Sequence, residues 1–130
     1  MTGQQKESIL LTRWLKTFHR TDLQWKRVRL GQAADPVEAK FYKVIQRWAD
    51  AIFIHEGIVY IIEAKLRPDL GTIGQLEGYK ELFIVTPEFQ QYWNYPIKMI
   101  LLSATLDLNI AELAKKKDIT FEVWKPEDWI

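Results

Sequence analysis

Asp50 and the tripeptide Glu63-Ala64-Lys65 put two carboxylates and an ammonium on two short apolar segments joined by a tight turn. Trp48 to Ile54 reads as one strand, His55-Glu56-Gly57 as the turn, and Ile58 to Lys65 as a second strand rich in β-branched residues. Strands joined this closely predict an antiparallel hairpin. Side chains alternate faces along a strand, so Glu63 and Lys65 share a side with Val59 and Ile61. Asp50 lies at the far end of its strand from the turn, where it comes level with Glu63. Such a trio is costly to bury without a partner, and a bound cation offsets that cost. The plainer alternative is a strand-end salt bridge.

Other elements must hold this hairpin end in place. Residues 4 to about 19 read as an amphipathic helix with Ile9, Leu10, Leu11, Trp14, Leu15 and Phe18 at helical spacing. Glu7 falls in its first turn, where the helix dipole favours a carboxylate. Trp25 to Leu30 reads as a strand ending at Gly31. Asp35-Pro36 caps either a short helix carrying Val37, Phe41, Val44 and Ile45 or a further strand. Leu70 to Phe83 reads as a helix despite Gly71, Gly74 and Gly78, which are expected to let it sit close to the sheet. Pro87 and Pro96 bracket an aromatic loop of Phe89, Tyr92, Trp93 and Tyr95. Lys98 to Leu102 is a buried strand, Leu108 to Lys117 a helix and Ile119 to Trp124 a last strand. This order predicts an α/β domain spanning residues 1–130, with a mixed sheet of four to five strands and helices on both faces.

Gln75 and Tyr79 are four residues apart, hence on one face of the third predicted helix. A polar helix edge with a half-buried tyrosine would account for them alone, but a strand-end salt bridge does not explain their following Glu63 and Lys65. Asp50 with Glu63-x-Lys65 resembles the signature of the PD-(D/E)XK nuclease superfamily, with Ala49 where that pattern has proline. Gln75 and Tyr79 resemble the QxxxY motif of its RecB-like branch. Gly3-Gln4-Gln5-Lys6-Glu7 is similar to the GxxxE stretch of that branch and of archaeal Holliday-junction resolvases. The resemblance covers residues 3 to 85 and implies a restriction-endonuclease-like αβββαβ core. It also implies a catalytic set of Asp50, Glu63, Lys65, Gln75 and Tyr79.

Hydrolysis of a phosphodiester needs water activated near neutral pH and neutralisation of charge on the phosphate, and a divalent ion does both. Mg²⁺ takes oxygen ligands and keeps several waters. Asp50 and Glu63 are the expected ligands, with the carbonyl of Ala64 a third and Glu7 completing the site or holding a second ion. Mn²⁺ is expected to substitute. Lys65 would orient or deprotonate the water, or stabilise the pentavalent phosphate. The resemblance leaves two other readings open: a Holliday-junction-resolvase-like endonuclease, and a non-catalytic DNA-binding or assembly module on a nuclease fold.

The net charge is only +1, yet residues 1–49 hold ten Lys/Arg against four Asp/Glu, and residues 50–130 hold eight against thirteen. Arg13, Lys16, Arg20, Lys26, Arg27 and Arg29 carry the excess, and a polyanion such as DNA is drawn to such a surface. The alternative is a solvated helix face beside an edge strand protected by basic residues. A chain of this size offers little surface for recognising long DNA, so a homodimer or a partner protein is expected. There are no cysteines, which excludes disulfides, zinc–thiolate sites and the cysteine-held iron–sulfur cluster of some RecB-like relatives. No apolar run is long enough for a membrane span, and Met1 to Ser8 lacks a signal-peptide core. A cytoplasmic protein is expected, in the host cytoplasm if a phage or mobile element encodes it.

His19 and His55 are the only histidines. Neither has a recognisable partner in the sequence, so a histidine-based metal site is not expected and His55 should be a surface turn residue. Trp14, Trp48 and Trp124 fit core positions, whereas Trp93 suits either base stacking or packing beneath its loop.

Overall fold

The first helix, α1 (Gly3–Phe18), begins with a reciprocal cap. Thr2 Oγ1 accepts from the Gln5 N–H at 3.2 Å and Gln5 Oε1 accepts from the Thr2 N–H at 2.8 Å. Its buried stripe is Leu10, Leu11, Trp14 and Leu15. The computed structural model describes residues 2–32, 35–42 and 45–129. After α1 come β1 (Leu23–Leu30), α2 (Pro36–Tyr42), β2 (Arg47–His55), β3 (Ile58–Lys65) and α3 (Leu70–Phe83). A 3₁₀ helix (Pro87–Tyr92), β4 (Ile97–Ser103), α4 (Leu108–Lys116) and β5 (Ile119–Val123) complete the chain. Asp35 Oδ1 accepts from the N–H groups of Val37 and Glu38, so the Asp-Pro pair starts a helix rather than a strand. Val44, expected to belong to it, lies outside the described residues.

The five strands form one sheet in sequence order. β1, β2 and β3 pair antiparallel, and β3, β4 and β5 pair parallel. The β2–β3 turn is Glu56-Gly57, both with positive φ (50° and 77°), the conformation a two-residue hairpin with native twist requires. Parallel pairs need helical crossovers of one hand, which puts α3 and α4 on the same face of the sheet. There Ile73, Leu76, Tyr79, Phe83, Ile110 and Ala114 pack on Ile52, Val59, Ile61, Met99 and Leu101. On the other face α1 covers Ala51, Phe53, Ile62, Ala64, Ile100 and Leu102. The expected mixed sheet with helices on both faces is the observed one.

One irregularity shapes the site. β1 pairs with β2 from Leu23↔Ile54 to Lys26↔Ala51, then again from Val28↔Ala49 onward, leaving Arg27 and Asp50 unpaired opposite each other. Arg27 has a φ of +52°. Each strand changes phase there: Trp25 and then Val28 and Leu30 face the α3 side, as do Ile54, Ile52 and then Ala49. Two facing defects of one residue preserve the register while turning both chains over.

That phase change corrects one expectation. Ala49 takes the inward position and Trp48 is 40% exposed, not a core residue, with the Arg27 guanidinium 5.4 Å from its ring centroid. The α3 glycines also differ from the prediction. Gly74 and Gly78 are exposed, and a Cβ on either would meet nothing within 4 Å, so they do not draw the helix onto the sheet. Trp93 packs against the core, donating from Nε1 to Thr86 O at 3.1 Å, which favours the packing alternative.

Thr86 joins three segments. Its fully buried hydroxyl accepts from the Gly31 N–H at 2.8 Å and donates to Leu82 O at 2.7 Å. Thr86→Val keeps the shape but leaves the Gly31 N–H unsatisfied, so it should destabilise the fold by about 1–3 kcal/mol. Urea denaturation should show a lower midpoint with an unchanged slope.

Candidate metal centre

Asp50 leaves the ladder on both sides, because β2–β3 pairing also stops at Ala51↔Ile62. The backbone amides freed by this fork find carboxylates instead. Glu63 Oε1 accepts from the Asp50 N–H at 2.8 Å, and Asp50 Oδ2 accepts from the Ala64 N–H at 2.9 Å. Glu7 reaches in from α1, and its Oε2 accepts from the Leu66 N–H at 3.0 Å. Each of the three carboxylates thus spends one oxygen on a backbone N–H. A carboxylate offers about four lone-pair positions, so each keeps acceptor capacity for another partner.

Asp50, Ala64, Lys65 and Glu7 line a cleft of about 400 Å³ together with Gln4, Ser8, Thr12, Lys26 and Arg27. Glu63 is 4% exposed. Burial, and then the charge of Asp50, push its carboxyl up to about 8, while Lys65 pulls the other way. Asp50 is also raised by burial, opposed by its bond to the Ala64 N–H and by Lys65, and raised further by the charge of Glu7. Of the pair, Glu63 is the one that retains a proton near neutral pH. Glu7 is the fifth residue of α1, and no acidic side chain lies in the first turn, so helix-dipole pairing does not explain it. Its place is explained by the Leu66 amide.

Tyr79 lies between the carboxylates and Gln75. It is buried and donates to Trp48 O at 2.9 Å. Burial first, then the charges of Glu63 and Asp50, raise its phenol to about 12. Gln75 is exposed in a neighbouring hollow that Tyr79 also lines, with Gln46, Arg47 and Trp48. The structure thus brings Asp50, Glu63, Lys65, Glu7 and Tyr79 together, and Tyr79 joins that group to the hollow of Gln75.

The basic residues do not form one surface. Lys26 and Arg27 stand on the cleft wall, with Lys26 Nζ donating to Thr12 Oγ1 at 2.9 Å. Arg13 pairs with Asp128 at 2.8 Å, and Arg29 pairs with Glu88 at 2.9 Å in an adjoining hollow that Lys26 and Arg27 also line. Lys16 and Arg20 are exposed toward the far end of α1. With a rise of about 1.5 Å per residue, Lys16 stands about 13 Å along the helix from Glu7.

The expectation that neither histidine has a partner is overturned. His19 and His55 do have a partner: the carboxylate of Asp22, with Nδ1 of each ring 2.8–2.9 Å from its Oδ2. His55 is half-buried rather than a free surface residue. The signal was in the β1–β2 register, since Leu23↔Ile54 makes Asp22 and His55 the next pair outward.

No protein-family model matches the chain, and no curated protein matches its sequence. Solved structures do share its fold. The crystal structure of a repair endonuclease from Pyrococcus abyssi superposes with a TM-score of 0.60 at 15% identity, over 91% of this chain and 46% of that one. A complex of EndoMS with double-stranded DNA gives 0.56 at 16% identity, over 99% and 47%. A protein of unknown function, AF1548, gives 0.57 at 13% identity, over 94% and 59%. The chain therefore spans about half the length of the first two. At these identities the likeness establishes the fold, and the expected α/β core, a mixed sheet flanked by helices, is borne out.

The raised carboxyl of Glu63 has a measurable sign. Between its ordinary 4.5 and about 8, the folded protein holds a proton that the unfolded chain releases. The contribution of Glu63 to the stability of the metal-free protein is then fullest below pH 4.5 and is lost as pH rises through that window. His55, raised chiefly by its bond to Asp22, adds a slope of the same sign above 6.5. Thermal midpoints recorded across this range should decline in wild type and decline distinctly less in Glu63→Gln. Parallel profiles would show that Glu63 is ionised throughout.

Proposed function

We propose that this chain is a divalent-metal-dependent DNA nuclease of PD-(D/E)XK type, with a role in DNA processing, recombination or repair. The observation that carries this reading is the trio of backbone-anchored carboxylates at the β2–β3 fork. Glu7 and Asp50 line one cleft and Glu63 lies buried beside Asp50, each acid fixed by a single amide bond, an arrangement that a cation drawn among them would stabilise. Asp50 and Glu63 would hold Mg²⁺ or Mn²⁺ with the carbonyl of Ala64, and Glu7 would complete the set. Oxygen donors without a nitrogen or sulfur ligand favour these ions. When bound, the ion would supply a water activated near neutral pH and neutralise charge on the phosphate.

The remaining residues divide the work. Lys65 lies close enough to Asp50 and Glu63 to favour the ionised form of both, and its ammonium would orient the water or stabilise charge on the phosphate. Tyr79 would hold the fork open through Trp48 O, acting on the carboxylates beside it as a positioning residue. Gln75, in the adjoining groove with Arg47, would meet the nucleic acid rather than the cation, as the first half of a RecB-like QxxxY pair whose second half is Tyr79. Lys26 and Arg27, on the cleft wall, are the first candidates for phosphate contacts. Arg13, Lys16, Arg20 and Arg29 would extend the contact only where DNA follows α1 or crosses β1. The likeness to a repair endonuclease and to a protein solved with double-stranded DNA agrees in kind with this reading.

Purified wild type, Asp50→Ala and Lys65→Ala should be given linear and closed-circular DNA, single- and double-stranded, with Mg²⁺, Mn²⁺ or EDTA. Wild type should cleave only with metal. Asp50→Ala should be inactive, and Lys65→Ala slower by about 10²–10⁴-fold. Cleavage of circles would identify an endonuclease, and preference for four-way junctions a resolvase. DNA binding without cleavage under any condition would replace this proposal with the binding-module reading.

A further inference from the structure

The end of the sheet remote from the cleft holds a second convergence of ligand-type side chains. His19 is the C-cap residue of α1, its N–H bonded to Leu15 O at 2.8 Å. Asp22 lies in the following turn, its N–H bonded to His19 O at 3.1 Å, and Gln24 Nε2 donates to the same carbonyl at 3.0 Å. His55 closes β2 at the hairpin turn. Among the described residues, these are the side chains of metal-ligating type that bring three donor atoms within 4.8 Å of one another.

The donor set selects an ion. Two imidazoles and one carboxylate suit Zn²⁺ and its neighbours in the first transition row, whereas Mg²⁺ and Ca²⁺ take oxygen ligands. His19 Nδ1 and His55 Nδ1 stand 2.8 and 2.9 Å from Asp22 Oδ2, with His55 Nδ1 also 3.1 Å from Oδ1. Ligands about 2.0–2.1 Å from a tetrahedral zinc lie roughly 3.3 Å apart. Each imidazole needs to separate from the Asp22 carboxylate by only a few tenths of an ångström, the two imidazole donors already lie within 4.8 Å of each other, and His55, whose side chain is 38% exposed on the turn, has room to adjust.

The rings are also held in place. His19 packs on Phe53 with centroids 4.1 Å apart and on Trp14 at 4.9 Å, and His55 stands edge-on to it at 5.4 Å. Glu56 Oε1 lies 3.7 Å from His55 Nε2. The half-buried carboxyl of Glu122 lies close enough to His19 to sense its charge, adding a second acid beside the cluster.

We propose that His19, Asp22 and His55 bind one late first-row divalent transition ion, zinc being the representative, with a fourth position open to water. The ion would clip the C-terminal end of α1 to the β2–β3 hairpin, at the opposite end of that hairpin from Asp50 and Glu63. An ion that binds the folded chain alone raises its stability by mass action.

The test uses untagged, metal-stripped protein with excess Mg²⁺ present to occupy the carboxylate cleft. Zn²⁺ is titrated calorimetrically, and Co²⁺ is followed by its visible absorption. A single equivalent should bind, Co²⁺ should show the intense bands of a tetrahedral site, and Zn²⁺ should raise the thermal midpoint. Asp50→Ala should leave all three unchanged. His55→Gln and Asp22→Asn should weaken binding by more than about a hundredfold, since even outer partners of a ligand are worth 10–100-fold. Circular dichroism of both variants separates lost ligation from lost fold. Absence of Zn²⁺ and Co²⁺ binding, or binding that survives His55→Gln and disappears in Asp50→Ala, would overturn the proposal. The cluster would then be a hydrogen-bonded clip, in which Asp22→Asn lowers the midpoint with or without metal.

Discussion

The exchange of partners between Asp50 and Glu63 is the interaction from which the cleft follows. Each carboxylate serves the other strand's backbone: Glu63 accepts from the Asp50 amide and Asp50 from the Ala64 amide. A sheet that forks must find acceptors for the amides it frees, because a buried N–H without a partner costs as much as a lost hydrogen bond. Here the acceptors are the acids themselves. Their geometry is therefore set by the backbone and not by long side-chain rotamers. The cost appears as a raised carboxyl: two carboxylates this close and this buried disfavour each other's charge, and Glu63 is pushed up to about 8. On the proposed reading, a divalent ion would relieve that conflict without moving the strands.

The hairpin, the helices and the mixed sheet were legible in the residues because each follows from a local pattern. Ile58 to Lys65 and Leu70 to Phe83 match the structure residue for residue, the first from its β-branched run and the second with its start fixed by Asp69, whose Oδ1 accepts from the Thr72 N–H. The gathering of Asp50, Glu63 and Lys65 followed from hairpin geometry alone. What local pattern could not supply was the phase change at Arg27 and Asp50. Alternation is read within one strand, and this defect becomes visible only when the facing strand carries its complement. Trp48 was misplaced for that reason.

The histidines escaped for a related reason. His19 and Asp22 are near neighbours, but a histidine three residues from an aspartate is unremarkable. Their meeting with His55 depends on the β1–β2 register, which nothing in either segment announces. The basic residues misled in the opposite sense. They are grouped along the chain, yet Arg13 and Arg29 are taken up by Asp128 and Glu88, and Lys26 and Arg27 are the ones that reach the cleft. Charge counted along a sequence becomes a surface only after the strand has assigned each residue a side.

The bond from Glu7 to the Leu66 amide spans 59 residues and sets an order of events during synthesis. α1 leaves the ribosome first, but the face that receives Leu10, Leu11, Trp14 and Leu15 is built from β2, β3 and β4, which come later. Until then the helix carries an uncovered apolar stripe and a carboxylate with no amide to meet. Its docking closes a long loop, a step whose entropic cost precedes its reward. A nascent chain cannot assemble the acidic cleft early, so the three acids first come together when the helix docks on the finished hairpin.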